Sequence, residues 1–348
     1  MGEDPKTTVI FGGEAPPEPL PFPRPIEVIV VNVTADNVNL SGFTLRRGEI
    51  GIAIYNRVNV TVHNCKIMEN LYGINVAFSN HQKIFGNKFL NNTFIGIGLS
   101  NSTKITVENN AFRDNGNGMA LFFSNETVIY RNNFVNNTAK GIMLMDTAYS
   151  TIINNVIGKS PYGIALINSS NNNILKNHIT RNKLGVLFQN SSSNIIYHNN
   201  FIANEIQAYD SARDWPKTPL SVNIWDDGYP SGGNFWDDYE GKDEKSGPYQ
   251  NITGSDGIGD TPYVIDENNV DRYPLMNPLP PSVVMVVPDD YPTIQAAINA
   301  ALSGSIIFVK SGIYFEEIYV FKPVVWLIGE NRETTIIDGQ GQIGGAYR

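Results

Sequence analysis

Apolar residues recur along this chain in short alternating runs, each opened by a glycine: Gly51-Ile-Ala-Ile, Gly73-Ile-Asn-Val, Gly96-Ile-Gly-Leu, Gly118-Met-Ala-Leu, Gly141-Ile-Met-Leu, Gly163-Ile-Ala-Leu and Gly185-Val-Leu-Phe. The glycines lie 22, 23, 22, 23, 22 and 22 residues apart. A second series, Cys65, Asn87, Asn110, Asn132, Asn155, Asn177 and Asn199, repeats those spacings, each member two residues before an Ile or Phe. A third follows in step at Asn70, Asn92, Asn115, Asn137, Ser160, Asn182 and Asn204. Runs this short, separated by Asn, Gly or Ser, suit strands that pair with the next repeat rather than in hairpins. Stacking equivalent positions about 4.8 Å apart lets each strand pair in parallel with the coils above and below it. The pattern therefore predicts an all-β fold, a right-handed single-stranded parallel β-helix with three short strands per 22-residue coil. Its interior is expected to hold columns of Ile, Val, Leu and Phe. The Asn series is expected at corners, in the left-handed conformation, each amide bonding the identical amide of the next coil. Cys65 takes one of those slots, as a small buried side chain rather than a reactive thiol.

The repeat decays after Phe201, where Trp215-Pro216, Trp225-Asp-Asp and Gly232-Gly-Asn-Phe-Trp-Asp-Asp-Tyr replace the coil pattern. An open β-helix end exposes apolar side chains and unpaired backbone, so residues 205–277 read as the last coils and a cap, and residues 1–277 as one β-helix. A Pro-rich linker is expected over 278–287. Residues 288–348 read as the start of a further module: an amphipathic helix begun by Pro292 and stopped by Gly304, then strands at Ile306–Val309, Tyr314–Phe315 and Val324–Ile328.

The formal net charge is −9, with no stripe of Lys and Arg, which argues against nucleic acid as a partner. The single cysteine excludes a disulfide within the chain and a zinc site built on several thiolates. No apolar stretch is long enough to span a membrane, and the first residues, Met1-Gly-Glu-Asp-Pro-Lys6, lack the basic and apolar regions of a signal peptide. Ten Asn-x-Ser/Thr sequons, among them Asn32, Asn59, Asn101, Asn125, Asn168, Asn190 and Asn251, point to an extracellular or cell-surface setting.

Three stretches near the C-terminus, Tyr291-Pro-Thr-Ile-Gln-Ala-Ala-Ile298, Gly312-Ile-Tyr-Phe-Glu-Glu317 and Ile328-Gly-Glu-Asn-Arg-Glu-Thr-Thr-Ile-Ile-Asp-Gly339, resemble the N-terminal cap and first coil of the pectin-lyase-like superfamily. The likeness is nearest to NosD-type periplasmic copper-binding proteins and to archaeal surface proteins with such domains. Gly232-Gly-Asn-Phe-Trp-Asp-Asp-Tyr239, Asp256-Gly-Ile-Gly-Asp260 and Arg272-Tyr-Pro-Leu275 resemble the C-terminal end of the same domains. The order departs from that family, since here the helix follows the coils. Moreover, Gly2-Glu-Asp-Pro-Lys-Thr-Thr-Val-Ile-Phe-Gly12 reads like Gly329–Gly339. Three arrangements follow: a slice of a tandem array, head-to-tail association in which one copy caps the next, or a segment folding back on its own chain. A heterologous contact of the second kind gives open fibres unless it closes into a ring.

The resemblance implies two kinds of chemistry. Superfamily enzymes cleave or epimerise acidic polysaccharides with clustered aspartates, and no such cluster is visible within the coils. The best grouping lies at the decaying end: Asp210, Arg213, Asp214, Trp215, Trp225, Asp226, Asp227 and Trp236. Carboxylates beside flat rings suit sugar hydroxyls and pyranose faces, and suit equally a polar cap whose rings cover the last coil. Asp237, Asp238, Asp243, Asp256 and Asp260 are candidate oxygen ligands for calcium, although they lack the spacing of an EF-hand. Copper would draw on His, Met and Cys, yet His63, His81, His178 and His198 are scattered and Met143 with Met145 share one strand. The reading is an extracellular or cell-surface β-helix module, structural or assembly-forming and glycan-binding at its aromatic end, with other copies, neighbouring modules or polysaccharide as partners. The alternative is a polysaccharide lyase, hydrolase or epimerase.

Overall fold

The computed structural model describes residues 9–11, 28–214, 219–279, 284–301, 306–321, 326–330 and 332–339. The chain divides into two compact units, Met1–Leu279 and Pro280–Arg348. In the first, three parallel sheets wind around one core. A ten-stranded sheet runs from Val9–Phe11 to Phe235–Trp236, a nine-stranded sheet from Ile29–Val33 to Ile206–Asp210, and an eight-stranded sheet from Asn39–Ser41 to Ile195–Tyr197. Register between coils is set by identical apolar positions, as in Phe89 against Phe112, Leu99 against Leu121 and Val107 against Ile129. These side chains are buried. Phe89, Phe112 and Phe134 stack nearly parallel, with centroids 4.7 and 4.4 Å apart, so the coil spacing matches that of stacked rings.

The glycine series has a steric cause. A Cβ on Gly118 would lie 2.6 Å from the carbonyl oxygen of Gly141, and one on Gly163 would lie 2.5 Å from that of Gly185. Backbone from the next coil crosses there, and only glycine leaves room.

The asparagine ladders form as expected, with one correction to their conformation. The Nδ2 of Asn87, Asn110, Asn132, Asn155 and Asn177 donates to Oδ1 of the next member at 3.0–3.1 Å, and the backbone N–H of each donates to the same oxygen. The left-handed residue, however, is the one before each ladder position: Asn64, Asn109, Arg131, Asn154, Lys176 and His198 have φ between 52° and 57°. That residue turns the chain, and the asparagine after it points inward, where its amide replaces the water the corner backbone would otherwise bind. Cys65 is buried at the start of this series, and its backbone N–H donates to Asn87 Oδ1 at 2.9 Å. Burial raises the pKa of its thiol, as expected of a packed rather than reactive cysteine.

In the second unit, Val284–Val287, Ile306–Val309 and Trp326–Gly329 form a three-stranded parallel sheet, and Gly312–Phe315 pairs with Thr335–Asp338. The helix spans Ile294–Ala300, shorter than the sequence predicts. Thr293 caps it by accepting the Ala296 N–H, while the Glu316 carboxylate accepts those of Ile294 and Gln295 at 2.9 Å. Ile294, Ala297 and Ile298 pack with Val287, Ile307 and Val309. Within the stretch expected to be a linker, Val284–Val287 is a strand, and Leu279 exchanges two hydrogen bonds with Asn200.

Replacing Asn132 by Leu removes the acceptor for two donors of Asn110 inside the core. The substitution is expected to lower stability by about 2–5 kcal/mol, read as a shift of the urea midpoint with the β-sheet circular dichroism of the native state retained.

Candidate functional site at the acidic and aromatic end

The ladders have a direction. Each rung donates toward the C-terminal end, so the last rung needs a partner that accepts and has nothing to donate. The main Asn series continues from Asn199 to Asn234, whose backbone N–H donates to Asp271 Oδ2 at 2.7 Å. The second passes from Asn204 through Gln207 to Asp237, which also accepts the Ala203 N–H. A serine series ends where the Ser191 backbone N–H donates to Ser221 Oγ, and the Ser221 backbone N–H donates to Asp210 Oδ2 at 2.7 Å. A fourth, through Asn172, Asn194, Asn223 and Asn269, ends on Asp266 Oδ1 at 2.8 Å. Four ladders thus close on four carboxylates, which are acceptors only when ionised.

The indoles close the core in the same region. Trp225 and Trp236 are each 1 % exposed, so neither presents a ring face to a sugar. Trp236 stacks on Phe201 at 4.3 Å and under Tyr263 at 4.2 Å, extending the aromatic column beyond the last full coil. Its Nε1 donates to Asp271 at 2.8 Å, and Trp225 Nε1 donates to Asn269 at 3.0 Å. Asp226 is also buried, clamped by Arg272 through bonds of 2.9 and 2.8 Å. Of the predicted sugar-binding group, Asp210, Trp225, Asp226 and Trp236 are therefore the closing layer of the solenoid. Trp215 lies outside the described residues.

What remains at the surface is smaller. Arg213 and Asp214 sit on a single 3-10 turn after the last strand of the nine-stranded sheet. Asp214 accepts the Tyr209 hydroxyl at 2.7 Å, a bond that raises the pKa of the phenol, and the Arg213 guanidinium stands 5.7 Å from the Tyr209 ring. Arg213 also donates to the Ile265 carbonyl. This half-buried phenol and the exposed carboxylate and guanidinium beside it can bond hydroxyl and carboxylate groups of a polymer. Asp227 accepts the Ser231 hydroxyl at 2.8 Å and does not join them. Tyr209 was not singled out in the sequence. Its signal is the nine-stranded register, which pairs it with Leu187 on the outer face.

The proposed calcium ligands hold loops. Asp243 accepts the N–H groups of Asp256 and Gly257, Asp256 that of Ile258, and Asp260 those of Glu244 and Lys245. Asp238 accepts the Tyr263 hydroxyl at 3.1 Å, and Asp237 ends a ladder. Among the described residues, no three of His, Cys, Asp and Glu gather into a metal-holding group. Donors suited to copper do not converge either: His63 stacks on Phe85, His81 bonds Asn80, His178 bonds Asn200 and His198 bonds the Ser231 carbonyl. The residues present do not fit a copper site.

Residues 94–241 match the family described as periplasmic copper-binding protein (NosD), and residues 27–157 match the right handed beta helix region. The chain is a right-handed parallel β-helix similar to the NosD family. No curated protein matches it. Among solved structures it is similar to the A-module of the mannuronan C-5 epimerase AlgE6 of Azotobacter vinelandii, at 15% identity over 54% of this chain and 63% of that one, with a TM-score of 0.45. The periplasmic alginate epimerase AlgG is 12% identical, over 87% of this chain and 60% of that one, with a TM-score of 0.45. PfbA, a surface adhesin of Streptococcus pneumoniae, is 13% identical over 49% and 64%, with a TM-score of 0.38. The NosD-like chain thus spans about three fifths of the length of the epimerases. No helix among its described residues is long and apolar enough to cross a membrane.

Trp236→Ala is expected to destabilise the NosD-like β-helix by about 3–5 kcal/mol, whereas Asp214→Ala changes stability by less than about 0.5 kcal/mol; chemical denaturation of both variants compares them directly. Burial pushes the Asp271 carboxyl up to about 6, against the bonds from Asn234, Trp236 and Tyr273 that lower it. The native state thus holds this proton more tightly than the unfolded chain does. The resulting stabilisation, on the order of 3 kcal/mol, is fully present below pH ~4 and lost as pH rises through about 6. Unfolding free energies measured from pH 4 to 7 should show this fall, and Asp271→Asn should flatten it.

Proposed function

We propose that this NosD-like chain is a structural and assembly module working outside the cytoplasm, in the periplasm or at the cell surface, and that it joins head to tail with other copies or with neighbouring modules of its own kind. The observation that carries this reading is the repetition of one strand in two settings. Val9–Phe11 forms the edge of the ten-stranded sheet beside Thr44–Arg46, and its sequence counterpart within Gly329–Gly339, the strand Thr335–Asp338, stacks on Gly312–Phe315. Equivalent strands occupy equivalent places in a coil, so a coil of the second unit has the shape needed to continue into the first coils of another copy. The second unit also leaves apolar coil positions uncovered: Ile313, Phe315, Ile336 and Ile337 are between 44% and 59% exposed, whereas Leu45 and Ile67 of the first unit are fully buried. Covering such residues is favourable, by about 25 cal/mol for each Å² removed from water.

A glycan-contacting role rests on the surface group of Tyr209, Arg213 and Asp214. The epimerases and the adhesin to which the chain is similar bear names that speak of alginate and of cell surfaces, in keeping with a setting outside the cytoplasm. The carboxylates that sequence proximity gathers at this end are spent on ladder termination and loop closure, which favours a scaffold over a uronate-processing enzyme.

Light scattering over a wide concentration range should show the full chain growing into large species, while a chain ending at Pro281 remains a monomer. A full chain that stays monomeric at all concentrations overturns the assembly reading. Incubation with uronate polymers should release no unsaturated or reducing ends and leave the uronate configuration unchanged, and any such product would install the enzymatic reading instead. Retention on an acidic-glycan column should fall in Asp214→Ala and Tyr209→Ala if that group makes the contact.

A further inference from the structure

The corner that follows seven of the nine strands of the nine-stranded sheet is a left-handed residue, and the column runs Asn56, Phe78, Asn101, Phe123, Asp146, Asn168, Asn190, with φ between 47° and 55°. Asn and Asp adopt this conformation readily, whereas a bulky aromatic there is an outlier. Phe78 and Phe123 are also 62% and 56% exposed, so neither strain nor exposure is repaid by packing in this chain. The coil imposes this conformation on Arg131, Lys176 and Tyr149 as well, so what marks the two phenylalanines is their exposure within one column. The two rings bracket Asn101 on successive rungs: Phe78 N–H donates to Ser100, Asn101 N–H to Phe122 and Phe123 N–H to Met145, at 3.0–3.1 Å. Each rung is about 4.8 Å from the next.

Asn101 heads the sequon Asn101-Ser102-Thr103 and is exposed. Four of the other nine sequon asparagines have their amides committed to outer ladders: Asn59 to Asn37, Asn136 to Asp114, Asn168 to Asp146 and Asn190 to Asn168. No such bond engages Asn101. Its amide nitrogen is thus available between two uncovered rings, and a ring face is what the C–H face of a pyranose covers well.

We propose that Asn101 carries an N-linked glycan whose first sugar lies against Phe78 and Phe123. The inference rests on the reading that the chain works outside the cytoplasm, where sequons meet the glycosylating machinery. The donor is an oligosaccharide carried on a polyprenyl phosphate or diphosphate. The Asn101 amide nitrogen bonds the anomeric carbon, the bond from that carbon to the phosphate oxygen breaks, the lipid phosphate leaves with the electron pair, and the amide releases one proton to the transferase. No oxidation or reduction is involved.

The test is glycopeptide mass spectrometry of the full chain purified from its native cells, together with fractionation of those cells. Expected are a sugar adduct at Asn101, its loss in Thr103→Ala, its recovery in Thr103→Ser, and occupancy cut to a minority of chains in Phe78→Ala/Phe123→Ala. A bare Asn101 in chains found outside the cytoplasm overturns this proposal alone. A bare Asn101 in chains retained in the cytoplasm overturns the proposal and the localisation with it. Occupancy that ignores the phenylalanines overturns the role given to the rings.

Discussion

A hydrogen-bonded ladder of identical amides runs one way. In the interior ladder of this β-helix each Asn gives both its Nδ2 proton and its own backbone N–H to one oxygen of the coil nearer the C-terminus. From Asn87 to Asn177 each rung is satisfied by its neighbour, but the last must be met by something different. An additional asparagine would only move the unmet donor one coil further. A buried carboxylate solves this by accepting without donating, and Asp210, Asp237, Asp266 and Asp271 stand at the four places where it is required. The cost of burying charge in that layer is visible at Asp271, whose carboxyl is pushed up to about 6 by burial. It is offset at Asp226 by the paired guanidinium of Arg272.

This constraint decides what the acidic and aromatic end is for. Closing the rod takes acceptors for the ladders and flat rings for the hydrophobic column, which are also the two ingredients of a sugar site. Burial separates the meanings: Trp225 and Trp236 lie under other chain segments, while Tyr209, Arg213 and Asp214 remain outside. The surfaces that the closing layer does not consume are the Tyr209 group, the uncovered coil positions of the second unit and the outer corner around Asn101.

The coil was legible because its cause is periodic. Gly118 must be glycine for the same reason as Gly141, and three registers locked to one spacing expose that repetition in the sequence. The termination was not legible, because it happens once and across distance. Asn234 follows Asn199 after 35 residues rather than 22 or 23, and Asp271 reaches Asn234 from a hairpin that pairs Tyr263–Asp266 with Asn269–Asp271. Sequence neighbourhood therefore grouped Asp210, Asp214, Asp226 and Asp227 as one acidic cluster. In the fold, Asp210 and Asp226 face inward with different partners, while Asp214 and Asp227 face solvent. The corner conformation was displaced by one position for a related reason: the residue that turns the chain carries little sequence signature, with Arg131, Lys176 and His198 all filling that role.

The glycine contacts and amide rungs also govern how such a rod can change over evolutionary time. A coil duplicated in the middle meets the same backbone above and below as its parent did, with Gly118 lying against Gly141 as Gly96 lies against Gly118. The carboxylate layer at the end is unaffected by how many coils precede it. Reach can therefore be lengthened or shortened by whole coils of 22 or 23 residues through in-frame gain or loss, with no new closing chemistry to invent.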